Sequence, residues 1–206
     1  MKYLKYSAIL LAAGNGTRYK GKKQDILFHN KALWRYAYET AAEVVGYDRI
    51  VAVGKDIPGG ETRTGSVLNG LLALHRDTDR VIIVEAARPM VTKEQVLQLL
   101  NDEHPSVSFV RPLVNTVVYR NGTYINRNEL YDLLTPQAFD YKLLFEAYQS
   151  GDFNDVTDET RIMYEYHRIN PHFIETDNNL FKVTYPGDLN VIESIYQIQQ
   201  EVQHDR

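Results

Sequence analysis

The chain contains no cysteine, which excludes disulfides, thiolate metal sites and a cysteine nucleophile together. It also lacks a basic excess: 23 Lys and Arg stand against 27 Asp and Glu, a formal net charge of −4. With no arginine-rich stripe either, it offers no field suited to a nucleic-acid backbone. Long apolar runs are missing too, and none approaches the ~18 residues that a spanning helix requires. The run Ala8–Ala13 behind Lys2 and Lys5 superficially resembles a signal peptide, but it is short for that role and leads straight into a glycine loop. A cytoplasmic location is expected. Repeats, low-complexity segments and linkers are absent, so residues 1–206 are expected to form one domain. What remains is ordinary globular composition, 44% hydrophobic and 24% charged. A chain of this length buries roughly 70% of its unfolded surface without a metal or disulfide staple.

Short apolar runs alternate with helix-period segments. Ser7–Ala12 reads as a buried parallel strand. Further strands are expected at Arg49–Gly54 and Arg80–Val84. Helices are expected at Lys31–Val45, at Gly65–His75 and from about Lys93, where Thr92 and Gln95 make a capping-box pattern. This order predicts βαβ units: an α/β fold with a mostly parallel twisted sheet and helices on both faces. The middle breaks the rhythm. Over Phe109–Asn128 two β-like runs flank Asn121-Gly122, a hairpin signal. It predicts a hairpin at about 110–128, either an ordinary edge hairpin or an arm that projects for dimerisation. A helix near Phe139–Gln149, a strand near Leu180–Thr184 and a last helix from Pro186 follow; Leu189, Ile192, Ile195 and Ile198 recur there at near-helical spacing.

The chemistry concentrates after the first strand, at Gly14-Asn15-Gly16-Thr17-Arg18. Glycines let backbone N–H groups approach phosphate oxygens, and open α/β sheets bind ligands at their strand ends. Arg18, Lys20, Lys22 and Lys23 supply charge where a triphosphate would sit. A dinucleotide fingerprint fails, because it needs glycine where Tyr19 stands. A P-loop fits the spacing Gly16-x-x-x-x-Gly21-Lys22, but Lys23 occupies the place of the hydroxyl that holds magnesium.

Six segments together resemble the cytidylyltransferases for 2-C-methyl-D-erythritol 4-phosphate and D-ribitol 5-phosphate. Ala12–Arg18 with Lys23-Gln24 is similar to the family's opening signature. Gly59–Val67 resembles the cytosine-binding segment, and Glu85-Ala86-Ala87-Arg88-Pro89 resembles Asp-Ala-Ala-Arg-Pro. Leu134–Phe139, Thr157-Asp158-Glu159, and Phe181–Thr184 with Asp188-Leu189 follow in the family's order. The resemblance implies a nucleotide-diphospho-sugar-transferase-like fold, CTP and a small polyol phosphate as substrates, Mg2+ as cofactor, and a homodimer. It implies that Arg18 and Lys23 contact the triphosphate and that Lys182 acts at the α-phosphate, where the transition state gains charge. By the same resemblance Ser66 and the backbone at Ala12, Ala13, Gly14, Gly16, Gly60 and Glu61 bind the nucleotide. Arg88, Thr116 and Arg127 match contacts to the acceptor.

The departures are informative. Glu85 stands where the family has aspartate; a glutamate also ligates magnesium, but its extra methylene displaces the ion unless the backbone compensates. Lys23-Gln24 lacks its preceding proline, and Asn115 and Val117-Val118 alter the polyol side, which leaves the acceptor open between the two phosphates. Six scattered histidines offer no metal-ligand spacing and no paired carboxylate. None is needed, because the acceptor phosphate attacks by itself and positioning carries the reaction. The alternatives are a catalytically inactive nucleotide-binding homologue, favoured by Glu85 and the lost proline, and a P-loop NTPase.

Overall fold

Alternate residues of the first strand, β1 (Tyr6–Leu11), enter two different cores. Ala8 and Leu10 join one; Ile9 and Leu11 join the other, as the two-residue period of a strand covered on both faces requires. The computed structural model describes residues 3–14, 16–19, 21–151, 153, 156–176 and 180–204, with backbone only for 202–204. Its further strands are β2 (Leu27–Phe28), β3 (Lys31–Ala32), β4 (Ile50–Val53), β5 (Arg80–Glu85), β6 (Ser106–Pro112), β7 (Val117–Val118), β8 (Tyr124–Ile125), β9 (Tyr131–Asp140) and β10 (His172–Glu175). The helices are α1 (Leu33–Val45), α2 (Arg63–Ala73), α3 (Lys93–Leu100), α4 (Tyr141–Ser150), α5 (Glu159–His167) and α6 (Asp188–His204).

Six strands form one sheet in the order β10-β6-β9-β5-β1-β4. β1 is parallel to β4 and β5, and β10 is parallel to β6. Only β9 runs the other way, antiparallel to both neighbours. The cause is its connection: β9 returns from β6 through a hairpin, with no crossover helix, and such a return reverses direction. Helices α1 and α3 pack with Ala8, Leu10, Ile82 and Val84 on one face; α2, α4 and α5 pack with Ile9, Val81, Ile83 and Phe139 on the other. The fold is therefore α/β, with a mostly parallel sheet and helices on both faces. A third cluster of Phe28, Leu33, Met90, Val183 and Ile192 ties α6 and the chain entering it to α1.

Between β6 and β9, β7 and β8 pair only with each other, around a turn where Gly122 adopts φ +88°. Val114, Val118, Tyr119 and Tyr124 are all exposed there, so the hairpin is an arm outside the main sheet. The capping box at α3 is present in full, Thr92 and Gln95 each satisfying the other's backbone N–H. One expected boundary shifts and one expected strand fails. Phe139 belongs to β9, opposite Val81, and α4 starts only after Asp140 caps the Leu143 N–H. Leu180–Thr184 is not a strand; the segment runs through the cores, and its Val183 N–H donates to the Ala87 carbonyl at 2.8 Å. Among the described residues no helix is long and apolar enough to cross a membrane.

Candidate active site

The carboxyl ends of β1, β4 and β5 open into a cavity of about 910 Å³, the position at which open α/β sheets bind ligands. The loop leaving β1 forms one wall. Gly16 holds φ +59°, and a Cβ there would overlap the Gly21 carbonyl oxygen. The Tyr19 and Gly21 N–H groups both donate to the Gly16 carbonyl, at 2.9 and 3.3 Å. This folded-back loop brings Arg18, Lys22 and Lys23 to the cavity beside Ala12, Ala13, Gly14 and Gly16. Gln24, buried, anchors it by donating from Nε2 to the Gly14 carbonyl at 3.1 Å. Asn15 and Lys20, expected in the same loop, lie outside the described residues. After Gly21-Lys22 comes a single turn at Lys23–Asp25 and then β2. A P-loop continues into a helix at that point, so the P-loop alternative is ruled out.

The opposite wall is Gly54–Ser66. Thr62 caps α2 by accepting from the Gly65 N–H at 2.9 Å. Ser66 Oγ accepts from the Gly60 N–H and donates to the Thr62 carbonyl, each at 3.0 Å. A Cβ on Gly60 would overlap the backbone of Gly65. The backbone at Gly60 and Glu61 is thereby fixed against the helix start, a rigid edge suited to reading a base.

The floor is charged. Glu85, the last residue of β5, has only 12% of its side chain exposed. Its Oε2 pairs with the Lys182 ammonium, and Arg63 Nε lies 3.6 Å from Oε1. Burial by itself would push the carboxyl up, but Lys182, Arg63 and Arg88 outweigh it and hold Glu85 below the usual carboxylate range. Arg63 in turn forms a two-bond pair with Glu159, at 2.6 and 2.9 Å, and Tyr148 donates to the same carboxylate at 3.1 Å. Glu159 is fully buried. Burial alone would lower the Arg63 guanidinium; Glu159 more than reverses this and keeps it charged.

Lys23 Nζ donates to the Val183 carbonyl at 2.5 Å. Burial, with the Lys182 and Arg18 charges, lowers its pKa, against a smaller opposing pull from Glu85 and Asp188. Three cations expected from the sequence thus meet in one cavity, and their mutual repulsion is the electrostatic mark of a site that receives anions.

The acceptor-side residues are not in this lining. Arg88 is buried, with Nε donating to Thr135 Oγ1 at 2.9 Å and Nη1 to the Leu180 carbonyl. Thr116 and Arg127 are exposed on and beside the arm, where Arg127 donates to the Val114 carbonyl. Among residues without an expected role, Arg63 and Glu159 matter most. Both stand in the segments that carry the resemblance, and the one available signal is that a glutamate in a helical first turn has to find a cation once buried. The histidine expectation also needs correction: His104 and His172 both bond to Asp102, and His29 to Glu193, each at 2.8 Å. His104 stands two residues from Asp102, whereas the His172–Asp102 and His29–Glu193 pairs join residues 70 and 164 apart, which spacing could not show.

The profile of the family described as IspD, 2-C-methyl-D-erythritol 4-phosphate cytidylyltransferase, matches residues 6–198. The chain is 27% identical over 230 residues to the protein of that name from Lachnoclostridium phytofermentans, covering 96% of this chain and 98% of the other. With the namesake from Alkaliphilus oremlandii the identity is 31% over 169 residues, 77% of this chain and 70% of the other. Among solved structures, the bifunctional IspDF from Campylobacter jejuni superposes with a TM-score of 0.79 at 26% identity; the match covers 90% of this chain and 53% of that one, so this chain spans about half of it. The 4-diphosphocytidyl-2C-methyl-D-erythritol synthase from Anaerococcus prevotii gives 0.77 at 24% identity, over 94% and 99% of the two chains. The order of strands, the cation-lined cavity at their carboxyl ends and the profile matched over residues 6–198 lead to one conclusion: the chain belongs to the 2-C-methyl-D-erythritol 4-phosphate cytidylyltransferase family of enzymes.

Proposed function

We propose that the chain transfers CMP from CTP to 2-C-methyl-D-erythritol 4-phosphate. The observation that carries this reading is the meeting of Lys23, Lys182 and Arg18 in one cavity, with Lys182 paired to Glu85. An oxygen of the acceptor phosphate attacks the α-phosphorus of CTP, the bond from that phosphorus to the β-phosphate bridging oxygen breaks, and pyrophosphate leaves. Two anions must approach each other, so the barrier is set mainly by charge and alignment. Arg18 and Lys23 hold the triphosphate. Its α-phosphate replaces Glu85 as the partner of Lys182, which then offsets the charge gained in the transition state. The backbone at Ala12, Ala13, Gly60 and Glu61, with Ser66 bracing Gly60, reads the cytosine. A fixed backbone edge suits that task because a base presents donors and acceptors at fixed places.

Magnesium takes one or two carboxylates together with phosphate oxygens and water, and the cavity offers Glu85 as the ionised carboxylate beside the lysines. Glu85 would hold the ion, whose charge would help neutralise the phosphates. The acceptor falls to Arg88, Thr116 and Arg127. Because Thr116 and Arg127 sit away from the cavity, they serve it best as the arm of a second copy. The exposed Val114, Val118, Tyr119 and Tyr124 supply apolar surface for a homodimer, and a monomeric mass on gel filtration would contradict that arrangement. The curated relatives' names favour methylerythritol phosphate as acceptor.

Calorimetric titration with CTP, UTP and ATP tests the nucleotide. CTP is expected to bind at least about tenfold more tightly than either, which is about 1.4 kcal/mol. Equal binding of all three would overturn the assignment of Gly60–Ser66 as a cytosine reader.

A further inference from the structure

Asp102, just past the end of α3, holds two imidazoles at once. His104 Nδ1 lies 2.8 Å from Oδ1, and His172 Nδ1 lies 2.8 Å from Oδ2. The rings face each other with centroids 4.2 Å apart and planes inclined by 33°. The three ligand atoms lie within 4.8 Å of one another. Asp102 does not swing freely, because the His104 backbone N–H also donates to its Oδ1 at 2.9 Å. This cluster stands apart from the cavity. His172 opens β10, the edge strand, opposite Val107 near the start of β6. β6 and β10 run in the same direction as β1 and β5, so the cluster is at the other end of the sheet from the carboxyl ends that form the cavity.

We propose that Asp102, His104 and His172 bind one divalent cation of the zinc class, with water completing the shell. Two nitrogens and one carboxylate oxygen form a donor set that zinc accepts, at about 2.0–2.2 Å per bond. The hard magnesium ion prefers all-oxygen shells. The change on binding is small. Each ring would present Nδ1 to the ion in place of the hydrogen bond to Asp102, and the half-exposed rings leave Nε2 to water. The buried Arg80 beneath, which donates to the His104 carbonyl at 2.9 Å, adds positive charge nearby. It weakens the site without blocking it, since its own hydrogen bonds face the backbone. A bound ion would tie the α3–β6 link to an edge strand that pairs with only one neighbour.

The test is titration of zinc sulfate into the full chain free of any affinity tag, with circular dichroism to establish that each variant is folded. One equivalent is expected to bind and to raise the melting temperature. His104→Ala and His172→Ala are each expected to lower the affinity at least about tenfold, whereas His29→Ala leaves it unchanged. Cobalt(II) provides a second readout that does not depend on variant stability: the wild-type chain should develop the visible bands of a four-coordinate cobalt centre. The absence of saturable zinc binding and of cobalt bands, or binding that survives both histidine variants, would overturn the proposal.

Discussion

Lys182 and Glu85 form an ion pair on the floor of the cavity, with Arg63 beside the other carboxylate oxygen. The lysine comes from the segment before α6 and the glutamate from the end of β5. Their meeting places a cation and an ionised carboxylate side by side on the cavity floor.

Lys182→Ala is expected to lower kcat for pyrophosphate release by ~10²–10³, the usual cost of losing one preorganised charge at a transition state. The side chain is 37% exposed, so the fold should survive, and CTP affinity should change far less than kcat. Unchanged turnover would show that Lys182 does not act at the reacting phosphate.

Beneath the floor, Glu159→Ala would leave the Arg63 guanidinium buried without its two-bond partner. Breaking a buried pair from one side costs about 3–5 kcal/mol, read as a shift in the urea midpoint. The exposed pair Arg161–Glu165 on the same helix is the control; its loss should cost about 0.3–0.5 kcal/mol. Similar costs for the two pairs would mean that Arg63–Glu159 is not the buried anchor described.

Gly60→Ala forces a methyl group into the backbone of Gly65, while a Cβ on Gly187, which is not in the cavity lining, meets nothing within 4 Å. Displacing the edge proposed to read the base by even an ångström can cost about 10² in rate, so Gly60→Ala should lower kcat/KM for CTP strongly and Gly187→Ala should not. If the two behaved alike, Gly60 would have no special place in the site.

Lys23 has its pKa lowered from the ordinary 10.5 by burial and by Lys182 and Arg18. Below its folded pKa the charged lysine costs the folded state stability. That cost is relieved as the pH rises from the folded pKa towards 10.5, so this residue makes stability increase across that window. CTP affinity has the opposite dependence, because a neutral lysine does not attract phosphate. Affinity should begin to fall before pH 10.5, and CTP should bind with proton uptake in that range, read by calorimetry in buffers of different ionisation enthalpy. Lys23→Met should abolish the uptake; uptake that persists would place the titration elsewhere.

Several elements are legible in the sequence itself. The buried apolar run makes β1 readable, the Thr92–Gln95 box marks the start of α3, and Asn121-Gly122 marks the arm. Strand β9 is not legible, because an antiparallel return inside a parallel sheet is set by its connection and not by its own residues. Leu180–Thr184 has strand-like composition, yet it packs in the cores without joining the sheet. At the site, Arg18, Lys23, Glu85, Ser66 and Lys182 stand in local motifs, and the fold brings them together. Arg63 and Glu159 stand in such motifs too, but their pairing, like that of His172 with Asp102, joins residues distant in the chain and no local pattern encodes it.

The central claim is cytidylyl transfer to a particular acceptor, and pyrophosphate release tests it most directly. The wild-type chain would be incubated with CTP and magnesium in three reactions: with 2-C-methyl-D-erythritol 4-phosphate, with D-ribitol 5-phosphate, and with neither. Release that depends on the methylerythritol phosphate and exceeds the other two reactions at least about tenfold is the predicted result. Release that follows ribitol phosphate, or that needs no acceptor at all, would contradict it.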